Sequence, residues 1–218
     1  MSGPAWIDLI LPCLNEAEAM PWVLANMPDG ARAIVVDNGS TDDSAALARA
    51  AGATVVDAPE RGYGAACHAG LLAATADVVA LCDCDATIDP RAAARLATHL
   101  RAADLVVARR RPVNGAAWSL AARVANRELA RRVRRRTGLA IKDVGPLRVA
   151  RREPLLALAV RDRRSGYPVE TLVRAADAGW RVAQVDVDYR TRVGRSKVTG
   201  TWRGSWHAVV DMSRALSP

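Results

Sequence analysis

The chain contains no CxxC pair, and its four cysteines, Cys13, Cys67, Cys82 and Cys84, are scattered through 218 residues. A chain of this size buries roughly 70% or more of its unfolded surface without covalent staples. The thiols therefore read as reduced, small, buried side chains, and the compartment as cytoplasmic. No basic and apolar leader opens the sequence, and no apolar run approaches the roughly 18 residues of a spanning helix. Any membrane contact is expected to be peripheral. Lysine is nearly missing, with only Lys142 and Lys197, so the formal charge of +8 is carried by arginine. Such a charge favours anionic partners such as nucleotides, phosphates or acidic lipid. Nucleic acid is not expected, because no RRM, KH, helix-turn-helix or zinc signature accompanies the arginines. There is no internal repeat and no low-complexity linker, so one domain over residues 1–218 is expected.

The most informative segment is VVALCDCDA, Val78 to Ala86, where an apolar run ends in two carboxylates, Asp83 and Asp85. Residues two apart on an extended backbone project to the same side. The pair can then hold one hard divalent cation, Mg²⁺ or Mn²⁺, against a diphosphate. Upstream, AIVVDNGSTD at Ala33 to Asp42 is an apolar strand that breaks into turn-forming residues before an alanine-rich helix.

Strand and helix signals alternate through the first half of the chain. Strands are expected at 7–11, 31–36, 54–57, 77–82 and 105–108, with helices at 16–27, from Ser40 or Thr41 to 51, at 64–74 and at 91–102. That order predicts an α/β fold with a mainly parallel sheet covered by helices on both faces. Ligands of such sheets bind at the carboxyl ends of the strands, where the polar clusters after Leu11, Val36 and Cys82 fall. The turn at Pro112 to Gly115 separates this half, about residues 1–110, from a second half, about 111–218. The second half opens with an arginine-rich helix near 118–136 closed by Gly138, followed by strands at 147–150 and 182–189 and a helix near 169–178.

With these segments placed, the chain resembles the family 2 glycosyltransferases of GT-A fold, and among them the dolichol- or polyprenyl-phosphate hexose synthases. The resemblance rests on LPCLNEAEA (11–19), VVDNGSTDDS (35–44), RGYGAACHAG (61–70), DCD (83–85), IKDVGPLRVARRE (141–153), GYPVETLVRAADAGW (166–180) and RVGRSKVTGT (192–201). It implies a GT-A domain whose first half binds the nucleotide sugar, a GDP- or UDP-hexose, and whose second half binds a phosphate-bearing acceptor. By the same resemblance Pro12, Glu16 and Asp37 contact the nucleoside. Carboxylates suit its ring N–H and ribose hydroxyl donors. The resemblance also places Gly62 and Gly64 close to the donor and Asp83 and Asp85 on the metal. Arg192, Ser196 and Lys197 then form a clamp over a phosphate, a role that cations and a hydroxyl around Gly194 can fill. Asp143 and Glu170 fall on the acceptor side, where either could orient the acceptor or take its proton; Glu170 could equally pair with Arg174 on one helical face. The chain is identified as an inverting hexosyltransferase on this resemblance.

Gly62, Gly64 and Gly70 are spaced GxGxxxxxG and not GxGxxG, which excludes a dinucleotide fingerprint. The chain departs from the lipid-phosphate synthases between Pro112 and Arg136. Trp118 and Ala122 stand where basic and serine residues are typical, leaving Arg109, Arg123, Arg127 and Arg131 as acceptor-phosphate candidates. The last three share one helical face, where a solvated arginine face is the plainer account. Transfer to a hydroxyl of a small molecule or glycan is the competing enzyme reading. A non-catalytic relative is disfavoured by the intact DCD and RVGRSK segments.

Overall fold

The computed structural model describes residues 5–194. Strands β1 (Ile7–Cys13), β2 (Arg32–Asp37), β3 (Thr54–Asp57), β4 (Val78–Cys82), β5 (Leu105–Pro112), β6 (Leu147–Arg151) and β7 (Val182–Tyr189) form one sheet in the order β3-β2-β1-β4-β6-β5-β7. Only β6 runs against its neighbours, β4 and β5; every other pairing is parallel. The mainly parallel α/β sheet expected from the sequence is present. The boundary expected near residue 110 does not divide it, because β6 is inserted between β4 and β5.

The helices are α1 (Met20–Ala25), α2 (Ser44–Ala50), α3 (Tyr63–Ala73), α4 (Ala92–Ala97), α5 (Leu120–Thr137), α6 (Arg152–Ala157) and α7 (Tyr167–Asp177). They cover both sheet faces, so the strands are apolar almost throughout. One face packs Ile10, Val36, Leu81 and Val107 against Leu71 of α3, Val133 of α5 and Leu172 of α7. The other packs Leu9, Leu11, Val35 and Val106 against Met20 and Val23 of α1, Ala48 of α2 and Leu96 of α4. All four cysteines are free and buried. No helix among the described residues is long and apolar enough to cross a membrane.

Local chemistry explains where the elements differ from expectation. The helix expected from residue 16 starts only at Met20, because Asn15 takes a left-handed φ of 54° and the Glu16 N–H donates to the Ser44 hydroxyl at 2.8 Å. The helix expected to reach 102 tightens after Ala97 into a 3₁₀ turn, Thr98–Arg101. Helix α6 was not anticipated: six residues give no readable period, and Pro154 sits in the first turn, where its missing N–H is tolerated. At the amino end of β1, buried Asp8 accepts from Arg32 at 2.7 and 2.8 Å and from the N–H groups of Thr75 and Ala76. A carboxylate at 0% exposure is thereby fully hydrogen-bonded.

Gly70 of α3 shows how closely the helix layer sits on the sheet. A Cβ at this position would overlap Ile10 Cγ2 and come within 2.8 Å of Val36 Cγ2. Gly70→Ala is therefore expected to destabilise the fold by about 1–3 kcal/mol. At roughly 2–4 °C per kcal/mol for a chain of this size, a thermal melt should show the loss; an unchanged Tm would mean that the layer relaxes freely.

Candidate active site

Strand β4 ends at Cys82, so the DCD segment leaves the sheet edge instead of extending it. The aspartates do not meet through the two-residue repeat of a strand, as the spacing predicts. A turn organises them instead. Asp85 Oδ1 accepts the Thr87 N–H at 3.1 Å and the Thr87 hydroxyl at 2.6 Å, and buried Ala86 adopts a left-handed φ of 60°. Burial and the charge of Asp85 push the Asp83 carboxyl up to about 7, against the opposing pull of Tyr63, Arg148 and Arg110. A buried carboxylate beside a second one offers a set of oxygen donors that a divalent cation would relieve.

Asp85 Oδ2 accepts Arg192 Nη1 at 2.8 Å, and Arg192 Nη2 reaches Glu16 Oε1. The segment carrying Arg192 lies across the DCD turn. The Arg190 N–H donates to the Thr87 carbonyl at 2.8 Å, and the Val193 N–H to the Asp85 carbonyl at 3.2 Å. Glu16, Asp85 and Arg192 thus share one site, although they come from three distant parts of the chain. Ser196 and Lys197 lie outside the described residues.

Pro12 is half-buried on β1 opposite Val36, and Asp37 closes β2 opposite Cys13. Asp37 Oδ1 accepts the Ser40 N–H at 3.1 Å. Its neighbour Asn38 is buried and ties two loops together, donating to the carbonyls of Ala58 and Glu60 and accepting the Gly62 N–H at 2.7 Å. Gly62 and Gly64, expected beside the donor, lie against the backbone of residues 162–164. The Gly64 and Ala65 N–H groups donate to the carbonyls of Arg164 and Arg163 at 3.1 and 2.8 Å. A Cβ on Gly64 would stand 2.5 Å from the Asp162 carbonyl oxygen.

Strand alternation separates the arginines of β5. Arg109 and Arg111 both grip Asp186, the latter at 2.7 Å. Arg110, between them, donates to Asp143 at 2.6 and 3.0 Å and to Asn126 of α5 at 2.9 Å. Its guanidinium lies 4.2 Å from the Trp118 ring centroid and 5.5 Å from that of Tyr189. The structure thus brings Arg110, and not the expected Arg109, within electrostatic reach of Asp83. Asp143 also accepts the N–H groups of Arg110 and Gly145. Burial works to raise its carboxyl, but Arg110 and these N–H groups hold it below the usual carboxylate range. It is an ion-pair partner and not a free base.

Glu170 is committed too. It accepts the N–H groups of Arg161 and Asp162 and pairs with Arg174 at 2.5 Å, which together outweigh burial and lower its pKa. The i, i+4 pairing with Arg174 offered by the sequence is present. On α5, Arg123 and Arg127 are exposed, and Arg131 is tied to Glu128 at 2.7 Å. A separate groove lined by Trp6, Leu24, Met27 and Thr75 opens at the amino ends of β1 and β2 and shares no residue with the DCD cluster.

The glycosyl transferase family 2 model matches residues 8–158. The chain belongs to glycosyl transferase family 2. An uncharacterized glycosyltransferase of Mycobacterium tuberculosis (strain H37Rv) is 52% identical over the full length of both chains. A dolichyl-phosphate hexose transferase of Haloferax volcanii is 30% identical over 88% of this chain and 86% of its own. Among solved structures, glucosyl-3-phosphoglycerate synthase of Mycobacterium tuberculosis, crystallised with Mn²⁺, UDP and glucosyl-3-phosphoglycerate, superposes with a TM-score of 0.77. The two are 25% identical, over 98% of this chain and 79% of that one.

In this family 2 transferase several residues of the cluster carried no sequence signal of their own: Arg110, Thr87, Tyr63 and Arg148. Arg148, on β6 opposite Leu81, is 2% exposed and donates to the Val144 carbonyl at 2.5 Å. Only the strand pairing places it near Asp83. The alternation along β5 was the one cue that could have set Arg110 apart from Arg109.

The Arg110–Asp143 pair yields a stability test. Asp143→Asn leaves a buried guanidinium short of its counter-charge and is expected to destabilise the enzyme by about 3–5 kcal/mol at neutral pH. The folded-state pKa of Asp143 is depressed, so its stabilisation is complete above the ordinary carboxylate value near 3.9 and fades as pH falls through the lower folded value. Urea denaturation at pH 7 and pH 3 should show the gap between wild type and variant narrowing on acidification. A gap that widens would contradict the ion-pair assignment.

Proposed function

We propose that this chain is a metal-dependent, inverting glycosyltransferase that moves a hexose from a GDP- or UDP-sugar to a polyprenyl phosphate. The observation that carries the acceptor assignment is the state of Asp143 and Glu170. Both have their oxygens occupied and their pKa values lowered. A hydroxyl nucleophile needs a base within hydrogen-bond reach. A phosphate monoester, with a second pKa near 6, is already an oxyanion at neutral pH and needs only positioning. Arg110 supplies a cation within electrostatic reach of Asp83, held in place by Asp143, Asn126 and Trp118.

The relatives support the same class: one is named for a dolichyl-phosphate acceptor, and the crystallised synthase holds UDP, Mn²⁺ and a phosphoglycerate product. Helix α5 favours the lipid source. Leu120 and Val124, one turn apart, are 74% and 55% exposed and neighbour Arg123 and Arg127. Apolar tips flanked by cations suit the surface of an anionic bilayer.

Asp83 and Asp85 would hold Mg²⁺ or Mn²⁺. Among the described residues no group of three or more His, Cys, Asp or Glu is gathered for a metal. Two carboxylates suit an ion that completes its shell with substrate phosphate and water. Once bound, the ion would neutralise charge that builds on the departing diphosphate. Pro12, Glu16 and Asp37, at or just beyond the ends of β1 and β2, would receive the nucleoside. One observation favours the hydroxyl reading: Asp83, near 7, is the carboxylate best tuned for proton transfer.

Two tests separate these readings. Asp85→Ala is expected to abolish Mn²⁺-dependent binding of nucleoside diphosphate, measured by calorimetry on protein that a thermal melt shows to be folded. In an acceptor screen, phosphorylated polyprenols should be glycosylated while Glu170→Gln keeps substantial activity. Transfer confined to unphosphorylated hydroxyl compounds would overturn the phosphate-acceptor assignment.

A further inference from the structure

Asp85 and Glu16 already share a cation in this structure, and that cation belongs to the chain. We infer that Arg192 is an internal counter-ion standing where the divalent ion binds, and that it passes to the donor diphosphate when metal and nucleotide arrive. The inference rests on the metal-dependent reading above and goes beyond it, since a residue of the phosphate clamp is assigned a second position and a competing role.

The geometry is specific. Arg192 Nη1 lies 2.8 Å from Asp85 Oδ2, and Nη2 reaches Glu16. The Asp85 and Glu16 side chains are only 10% and 8% exposed. Carboxylates this buried require a positive charge close by. Asp83 adds a further acid at the same edge, and the guanidinium supplies that charge to Asp85 and Glu16. A divalent ion bound to Asp85 supplies it equally well but competes with the guanidinium for the same oxygens.

The resting contact is incomplete, because Arg192 Nε–H is buried and has no acceptor among the described residues. A diphosphate would offer oxygens in the forked geometry that a guanidinium matches best. The backbone on either side of Arg192 is tied to the DCD turn through Arg190 and Val193. The guanidinium can therefore change partners by side-chain rotation while the strap stays in place. It follows that metal alone binds against Arg192, whereas metal and nucleotide together bind with its help. The two ligands should each strengthen the other's binding by the same factor.

The test is Mn²⁺ binding, read from the EPR signal of free Mn²⁺ with and without UDP or GDP, for wild type, Arg192→Met and Arg192→Gln. Thermal melts confirm folding, and the two substitutions back each other up. Without nucleotide, the variants are expected to bind Mn²⁺ about tenfold more tightly than wild type. The gain in Mn²⁺ affinity that nucleotide gives the wild type should largely vanish in them. If Asp85→Asn abolishes wild-type Mn²⁺ binding while both Arg192 variants bind Mn²⁺ alone no better than wild type, the exchange is refuted and the metal site stands. If wild type binds no Mn²⁺ even with either nucleotide, the metal-dependent reading falls and the exchange falls with it.

Discussion

The site depends on one edge of the sheet, which exists because neighbouring parallel strands stop together. Cys13, Asp37 and Asp57 stand side by side at the ends of β1, β2 and β3. Parallel strands return through helices, so all their outgoing loops emerge at this edge. The antiparallel strand β6 completes it. Leu147, the first residue of β6, pairs with Cys82, the last of β4, so the segment entering β6 arrives where the other strands leave. That reversal delivers Asp143 and Arg148 to the edge that carries Asp83. Gly145 makes the approach sterically feasible: its φ is +69°, and a Cβ there would collide with the Ala108 carbonyl oxygen.

Charge at this edge is arranged in matched groups. Arg110 faces Asp143, Arg192 faces Asp85 and Glu16, and Asp83 sits within reach of Arg110 and Arg148 without a bidentate partner of its own. Asp83 is raised towards neutrality, whereas Asp143 is lowered. Burial dominates that shift, and the neighbouring Asp85 adds to it. A site built this way is short of positive charge at one carboxylate and supplied elsewhere. That imbalance is what binding of a cation together with an anionic ligand would correct.

How much of this was legible in the sequence follows the range of the interactions. Strands β1 to β4 and the helices between them were readable because apolar runs bounded by Gly, Asn, Asp and Ser are local signals. The DCD segment was readable as chemistry but not as geometry, since the strand ends one residue before it and Thr87 makes the turn. Glu170 and Asp143 looked alike as acids near the acceptor side. Their partners, the backbone of residues 161–162 and Arg110, are fixed by tertiary packing that spacing does not report. Arg109 and Arg110 differ by one step of a two-residue repeat, and such a step reverses the face of a strand. Gly62 and Gly64 did mark a close approach, but to the chain at 162–164.

The net charge of +8 can now be assigned to places. Arg32, Arg109, Arg110, Arg174 and Arg192 are held in ion pairs within the fold, so they add little free positive surface. Arg123 and Arg127 are different: they stand exposed on α5, with no ion pair to any described residue, beside Leu120 and Val124. An anionic partner therefore meets unmatched cations at α5 and a rearrangeable one, Arg192, at the sheet edge. Helix α5 is joined to the edge through Asn126, which accepts from Arg110. A lipid phosphate drawn to α5 would thus approach Arg110, which lies within electrostatic reach of Asp83. This connection, rather than the overall charge, ties the basic surface to the chemistry.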